Sequence, residues 1–253
     1  MTQDAIQTAS QHLHNAQRVA VLTGAGVSKE SGIPTFRDAV DGLWAKYDPM
    51  QLATPQAFQR DPKLVWDWYE YRRTLIQPAQ PNAGHIALTQ IEQHTPEFLL
   101  ITQNVDDLHE RAGSQQIVHL HGKIAENKCF DNCQGTPTLI EADALDLEET
   151  PPHCPHCGGY IRPNVVWFGE ALPQDAFAQA IDFCERCDVI LVIGTSGVVQ
   201  PAASLSTVAK RSGAKVIEIN PDDSAFSPWS DVRLAYPSGI ILPQIVEQMQ
   251  QLS

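Results

Sequence analysis

Arg18-Val-Ala-Val-Leu-Thr-Gly-Ala-Gly-Val-Ser28 is a short apolar strand that runs directly into a glycine-rich turn. A strand with no polar alternation is expected to be covered on both faces, as in a parallel sheet. Upstream, residues 4–15 carry helical spacing, with Ile6, Ala9 and Leu13 on one face. Downstream, residues 98–102, 117–119, 189–193 and 215–219 read as further strands. Helical stretches lie between them near 83–94, 172–187 and 201–212, and a last helix is expected from Pro243 to about Met249. Strands alternating with helices predict an α/β fold around a parallel sheet.

Two segments break this rhythm. Residues 41–77 are rich in aromatic side chains, among them Trp44, Tyr47, Phe58, Trp66, Trp68, Tyr69 and Tyr71, and read as helix or loop. Residues 123–160 hold two cysteine pairs and the polar run 141–150. Both read as insertions at the ligand end of the sheet.

Composition narrows the class. The 253 residues are 43% hydrophobic and 19% charged, enough for a substantial core and against wholesale disorder. The net charge of -13 disfavours nucleic acid and suits cationic partners, including proteins that present lysine. No basic-then-apolar opening marks a secretory signal, and no apolar run approaches the ~20 residues that span a bilayer. The expectation is a soluble cytoplasmic protein that binds no membrane. Nothing in the sequence specifies an oligomeric state.

Gly24-x-Gly26 after a strand lets the backbone approach a phosphate, with the following amides as donors. Lys29 occupies the place of a third glycine, so a plain strand-to-helix turn is an equally simple reading. Thr102-Gln103-Asn104-Val105-Asp106 ends another strand in groups that are costly to bury unless paired or used. They suit a ribose or a carboxamide, or a capped helix start. His119 and His121 share a face if their strand persists that far, and either a base or a satisfied structural histidine fits.

Cys129-x3-Cys133 and Cys154-x-x-Cys157 supply four thiolates, a closed tetrahedral set for one structural Zn2+ per chain, with a disulfide or free thiols as the other readings. Cys184-x-x-Cys187 shows the same spacing, but it ends an amphipathic helix, where small apolar cysteines pack without metal or redox chemistry. Tyr69 and Arg72 are three apart, so a helix puts a hydroxyl beside a guanidinium on one face. Such a pair can receive a carboxylate, or can be aromatic packing beside a snorkelled arginine.

Taken together, these segments resemble the sirtuins, a family of NAD-dependent protein deacylases. The run Gly24 to Asp38 is similar to the family's first signature, residues 102–109 to its Gln-Asn-Ile-Asp-x-Leu-His signature, and His121-Gly122 to its His-Gly pair. Val105 replaces the usual isoleucine. The resemblance extends from about Val19 to Pro243 and implies a Rossmann-like, doubly wound parallel sheet with an inserted zinc-binding and helical module. The expected division is 1–40, 78–122 and 161–253 for the NAD-binding domain, 41–77 for a helical substrate-pocket insertion and 123–160 for the zinc module.

By resemblance, NAD lies against Gly24, Ala25, Gly26, Ser28, Phe36, Arg37, Gln103, Asn104, Asp106, Gly194, Thr195, Ser196, Asn220 and Ser238. Tyr236 stands where many relatives carry glycine, and the first cysteine pair has one residue more than usual. His121 is the implied general base, with Asn104 and Asp106 arranging the reacting ribose. The implied reaction joins the acyl oxygen of a modified lysine to the ribose C1′, releases nicotinamide, and ends in free lysine and 2′-O-acyl-ADP-ribose.

Val166, Trp167, Phe168 and Gly169 resemble the ledge that receives the substrate backbone. Tyr69-x-x-Arg72 resembles the pair that marks sirtuins acting on succinyl-, malonyl- or glutaryl-lysine, with acetyl-lysine also accommodated. The partners implied are acylated lysine-containing proteins. Two other readings use part of these residues: a protein mono-ADP-ribosyltransferase with the same NAD chemistry, and a non-catalytic acyl-lysine reader, which would have no need of a base at 121.

Overall fold

The computed structural model describes residues 2–35, 47–146 and 148–252. The strands in chain order are β1 (Arg18–Thr23), β2 (Glu97–Thr102), β3 (Ile117–His119), β4 (Gly122–Cys129), β5 (Leu139–Ile140), β6 (Ile161–Val165), β7 (Val189–Ile193), β8 (Lys215–Ile219) and β9 (Val232–Leu234). Chain contacts divide the molecule into one unit of Met1–Thr35, Ala79–Leu120 and Pro173–Ser253, and a second of Phe36–Pro78 and His121–Leu172.

The first unit is a six-stranded sheet in the order β3-β2-β1-β7-β8-β9, every pair parallel. β1, β2 and β7 are buried nearly throughout, as the unbroken apolar runs predict. Their alternate residues face opposite sides. Val19, Val21, Leu100, Leu191 and Ile193 join one apolar cluster with Ile6, Ala9 and Leu13 of α1 (Thr2–Asn15) and with Ile241, Ile245 and Met249 near the C-terminus. The other face meets the helices Gln174–Cys184 and Ser204–Arg211. The sheet is therefore doubly wound, and its order reverses between β1 and β7, where such folds leave a crevice at the strand C-terminal ends.

Two details depart from the sequence reading. β9 is a three-residue strand, too short for its Val-x-Leu pattern to stand out. The last helix runs from Ser238 to Leu252, with Pro243 in its interior rather than at its start. Its first turn is fixed by a distant side chain: the Gly239 amide donates to Glu30 Oε1 at 2.8 Å, and Ser238 Oγ donates to the same oxygen at 3.3 Å.

The second unit holds a three-stranded sheet in the order β5-β4-β6, all antiparallel. Because β6 pairs along β4, the contact boundary falls near 172 instead of 160. The aromatic insertion contributes the helices Pro49–Leu52, Pro55–Arg60 and Pro62–Ile76. The latter two start alike, with a capping side chain followed by proline. Thr54 Oγ1 accepts from the Ala57 amide at 3.1 Å, and Asp61 Oδ1 from the Leu64 amide at 3.0 Å. The helix 62–76 buries Val65, Trp66, Trp68, Tyr69 and Ile76. Arg73 donates to Ile124 O at 2.7 Å and to Asn127 Oδ1 at 2.8 Å, which ties that helix to β4. Among the described residues no helix is long and apolar enough to cross a membrane.

Candidate active site and metal centre

The turns after β1 and β7 touch where the strand order reverses. A Cβ on Gly26 would meet Gly194 Cα at 2.7 Å, and one on Gly194, at φ +58°, would meet Val27 N at 2.5 Å. Both positions therefore demand glycine. The Gly24 amide donates to Ile193 O at 3.0 Å and the Gly26 amide to Gly194 O at 2.9 Å. These two donors thus tie the turn after β1 to the end of β7 and the turn after it instead of facing a phosphate, a role the motif alone did not disclose. Asn220, after β8, donates to Thr195 O at 3.1 Å, and the Ala225 amide donates to Ser196 O at 3.1 Å. Gln103 Nε2 reaches Thr195 Oγ1 at 3.1 Å. Phe36 and Arg37 lie outside the described residues.

A buried polar cluster sits beside these loops. Asn104 Nδ2 donates to Ser28 Oγ at 3.1 Å, and Ser28 Oγ donates to Asp106 Oδ2 at 3.0 Å. Asp106 Oδ1 accepts from the Leu108 amide at 3.2 Å. Burial pushes the Asp106 carboxyl above its ordinary range, against the pull of these two donors. With its Nδ2 held by Ser28, the Asn104 side chain is fixed as an oriented carboxamide. The tight loop contact and this cluster fit a dinucleotide with its ribose at the strand ends.

Behind Asn104 runs a second tier that the motifs did not reveal. The Asn104 amide donates to Thr102 Oγ1 at 3.0 Å, and Thr23 Oγ1 donates to Thr102 Oγ1 at 2.9 Å. His109 Nε2 lies 3.1 Å from Thr23 Oγ1. Since Thr23 gives its own proton to Thr102, it accepts from His109, which makes Nε2 the protonated nitrogen. The His85 and His109 rings lie 4.8 Å apart, and burial lowers their pKa values to about 4 and about 3. Both rings are neutral near pH 7. The available signal was the threonine that closes each of two apolar strands.

Glu218 is another group the sequence reading missed. It is buried on β8 and accepts from Ser224 and, at 3.0 Å, from Ser227 Oγ, so it organises the loop after Asn220. A carboxylate inside an otherwise apolar strand was its signal. Ser238 belongs to the first turn of the last helix, beside Glu30. Tyr236 is exposed, with its hydroxyl 3.3 Å from Thr2 Oγ1.

His121 follows the end of β3, so the alternation that would pair it with His119 does not reach it. His119 Nε2 instead meets Glu110 Oε1 at 2.7 Å. The His121 carbonyl accepts from the Val166 amide at 2.9 Å. Gly122 has φ +74°, and a Cβ there would stand 2.1 Å from Asn164 O, so only glycine lets β4 begin immediately after His121. The Trp167 amide donates to Glu170 Oε2 at 2.8 Å and the Phe168 amide to Ala53 O at 2.9 Å. With the Val166 bond, these leave no amide donor at 166–168 for an added strand. Gly169 follows at φ +89°.

Cys129, Cys133, Cys154 and Cys157 bring their sulfur atoms within 4.8 Å of one another. The Cys129–Cys157 and Cys133–Cys154 separations are 3.6 and 3.8 Å. Zn–S bonds of about 2.3 Å set tetrahedral S···S edges of about 3.8 Å, so the four residues fit zinc. Within the first pair Asn132 adopts a left-handed φ of +49°. Cys184 and Cys187 are buried instead, with burial pushing both thiols up, that of Cys187 to about 12. They pack as apolar groups.

Tyr69 and Arg72 share a face of the helix 62–76. The Tyr69 hydroxyl is buried and accepts from Trp167 Nε1 at 2.8 Å. Burial raises its pKa to about 12, although the positive charge of Arg72 pulls the other way. The phenol is a neutral donor at any ordinary pH. Arg72 lies over the Trp68 ring, 5.2 Å from its centroid.

The Sir2 family pattern matches residues 24–201 of this chain. A protein of Aquifex aeolicus (strain VF5) named NAD-dependent protein deacylase is 48% identical over 233 residues, covering 92% of this chain and 95% of that protein. NAD-dependent protein deacylase 1 of Pseudomonas aeruginosa is 48% identical over 240 residues, covering 93% and 96%. Among solved structures, a Sir2 homolog–NAD complex aligns with a TM-score of 0.88 at 44% identity, over 97% of this chain and 94% of that one. A complex of Sir2 with a p53 peptide and NAD+ aligns with a TM-score of 0.83 at 30% identity, over 96% and 97%.

Proposed function

The chain belongs to the Sir2 family and is an NAD-dependent protein deacylase, and we propose that it acts on lysines bearing succinyl, malonyl or glutaryl groups, with acetyl-lysine as a further substrate. The observation that carries the acidic-acyl reading is the Tyr69 hydroxyl, buried yet uncharged, on the same helical face as the Arg72 guanidinium. A carboxylate accepts from both, through charge-assisted and neutral hydrogen bonds at once. A shorter acetyl group leaves that demand unmet and so gains less.

Bound NAD supplies the electrophilic ribose carbon and nicotinamide as its leaving group. The chain supplies orientation and proton transfer. Asn104, fixed through Ser28, presents its carboxamide oxygen to the ribose and to nearby water, and Asp106 shares that anchor. His121 accepts a ribose hydroxyl proton at near-neutral pH, as imidazole chemistry allows. The four cysteines hold structural zinc and take no part in the chemistry, because a closed tetrahedral set offers no open position. Acylated lysine-containing proteins are the proposed partners.

Matched acetyl-, succinyl-, malonyl- and glutaryl-lysine peptides, each with and without NAD, test this reading. Nicotinamide and 2′-O-acyl-ADP-ribose should appear together, and faster from the acidic peptides. Transfer of ADP-ribose to the protein partner without an acyl product would favour the transferase reading. His121→Tyr should stop turnover while zinc content and thermal unfolding stay near those of the parent. Loss of zinc or of fold in that variant would remove the case for a base at 121.

A further inference from the structure

Trp167 sits outside the Tyr69–Arg72 pair proposed above to read the acyl group, yet its indole touches Tyr69 directly. The indole Nε1 donates to the Tyr69 hydroxyl oxygen at 2.8 Å, and both side chains are buried. An indole N–H can only donate, so the phenol oxygen is the acceptor here. A phenol O–H lies near the ring plane in one of two opposite orientations. With a donor hydrogen already on one side of the oxygen, the hydroxyl hydrogen is driven to the other.

The indole cannot swing away to release this choice. Arg162 stacks on it, with its guanidinium carbon 3.4 Å from the ring centroid. Arg162 is itself buried and held by two bonds to Glu170, at 2.7 and 2.8 Å, and by one to Val165 O at 2.6 Å. Glu170 also accepts from the Trp167 amide, so backbone and ring are fixed by one ion pair. Phe58 closes a further side, with ring centroids 5.4 Å apart.

We propose that Trp167 is a specificity-determining residue, whose indole N–H sets the Tyr69 hydroxyl as a donor to the carboxylate of an acidic acyl-lysine. Trp167 acts through Tyr69 and is a positioning residue rather than a catalytic one. The inference rests on the acidic-acyl reading given above. Without the indole donor the Tyr69 hydroxyl is free to turn, and its oxygen is a buried acceptor lacking a partner. An acetyl group, which carries no carboxylate, does not read that hydroxyl.

The zinc-loaded full chain with NAD serves for the test. The measurement is kcat/KM on succinyl- and acetyl-lysine forms of one peptide, for the parent, Trp167→Phe, Tyr69→Phe and the double variant. Loss of one such hydrogen bond corresponds to a drop of about two- to tenfold. Trp167→Phe should lower the succinyl-to-acetyl ratio of kcat/KM by that factor, over and above any loss the two peptides share. In the Tyr69→Phe background it should add no further loss on the succinyl peptide. An equal loss on both peptides, no loss on either, or full additivity with Tyr69→Phe would overturn the proposal.

If thermal unfolding shows that Trp167→Phe does not fold, 3-benzothienylalanine at 167 keeps the bicyclic shape and removes only the N–H. The same outcomes then apply. A parent that turns over acetyl but not succinyl peptide would overturn both this proposal and the acidic-acyl reading. A parent that desuccinylates, with Trp167→Phe losing equally on the succinyl and acetyl peptides, would overturn this proposal alone.

Discussion

The polar groups at the ends of β1 and β2 and those around Tyr69 are both buried and hydrogen-bonded, but they are built from different materials. In the first unit, Ser28, Thr23, Thr102, Asn104 and Asp106 are short side chains at or just beyond the ends of β1 and β2, with few rotamers to misplace. In the second, Tyr69, Trp167, Arg162 and Glu170 are long or aromatic side chains locked by one another. On the function proposed above, the first arrangement addresses a ribose that every turnover shares, and the second the end of the acyl group, which varies. Damage to the first should therefore lower all activities together, whereas damage to the second should sort substrates.

Asn104→Ala puts the most weight on this contrast. It should lower kcat by at least about 100-fold on succinyl and acetyl peptides alike, the scale of losing an oriented polar group at the reacting centre. A loss confined to one acyl type would break the contrast. Tyr69→Phe with Arg72→Met should follow in size, lowering kcat/KM roughly 10- to 100-fold on acidic acyl peptides and much less on acetyl. Uniform loss there would mean the aromatic face is scaffold only.

The smallest effect concerns pH and the tier behind Asn104. His85 and His109 titrate at about 4 and about 3 in the folded chain, against 6.5 in the absence of burial. Between those values the unfolded chain binds more protons. The stability from keeping both rings neutral is complete above about pH 6.5 and is lost as pH falls toward the folded values. The melting temperature should drop by on the order of 10 °C between about pH 7 and pH 5. His109→Gln, whose amide still donates to Thr23, should flatten that slope. An unchanged slope would show that other groups govern it.

Much of the fold was legible because its signals are local. The apolar runs at 18–23, 98–102, 189–193 and 215–219 lie in strands of the structure, and the helical stretch near 83–94 is the helix Ala83–His94. The two Cys-x-x-Cys pairs separated on context alone: Cys184 ends an amphipathic helix, and Cys154 lies in a segment that brings a second pair to it. The antiparallel sheet of the zinc unit was not legible. β4 and β6 lie more than thirty residues apart, with an irregular register, and neither alternates cleanly.

Neighbouring arginines show where local reading stops. Arg72 and Arg73 follow each other on one helix, and spacing alone gave Arg72 its place beside Tyr69. Only packing shows that Arg73 is taken up by β4, through Ile124 O and Asn127 Oδ1, while Arg72 lies over Trp68 beside the phenol. A turn of about 100° per residue is enough to send adjacent side chains to different neighbours.

By itself the sequence determined the parallel strands, the glycine turns and the four-thiolate set, because each depends on residues close along the chain. Tertiary structure alone decided that Gly24 and Gly26 use their amides on the end of β7 and the loop after it, that Thr23, Thr102 and His109 stand behind Asn104, and that Trp167 holds the Tyr69 hydroxyl. Those contacts join residues many tens of positions apart. A hydrogen bond needs its donor within about 3 Å and correctly aimed, and no spacing along the chain encodes that meeting.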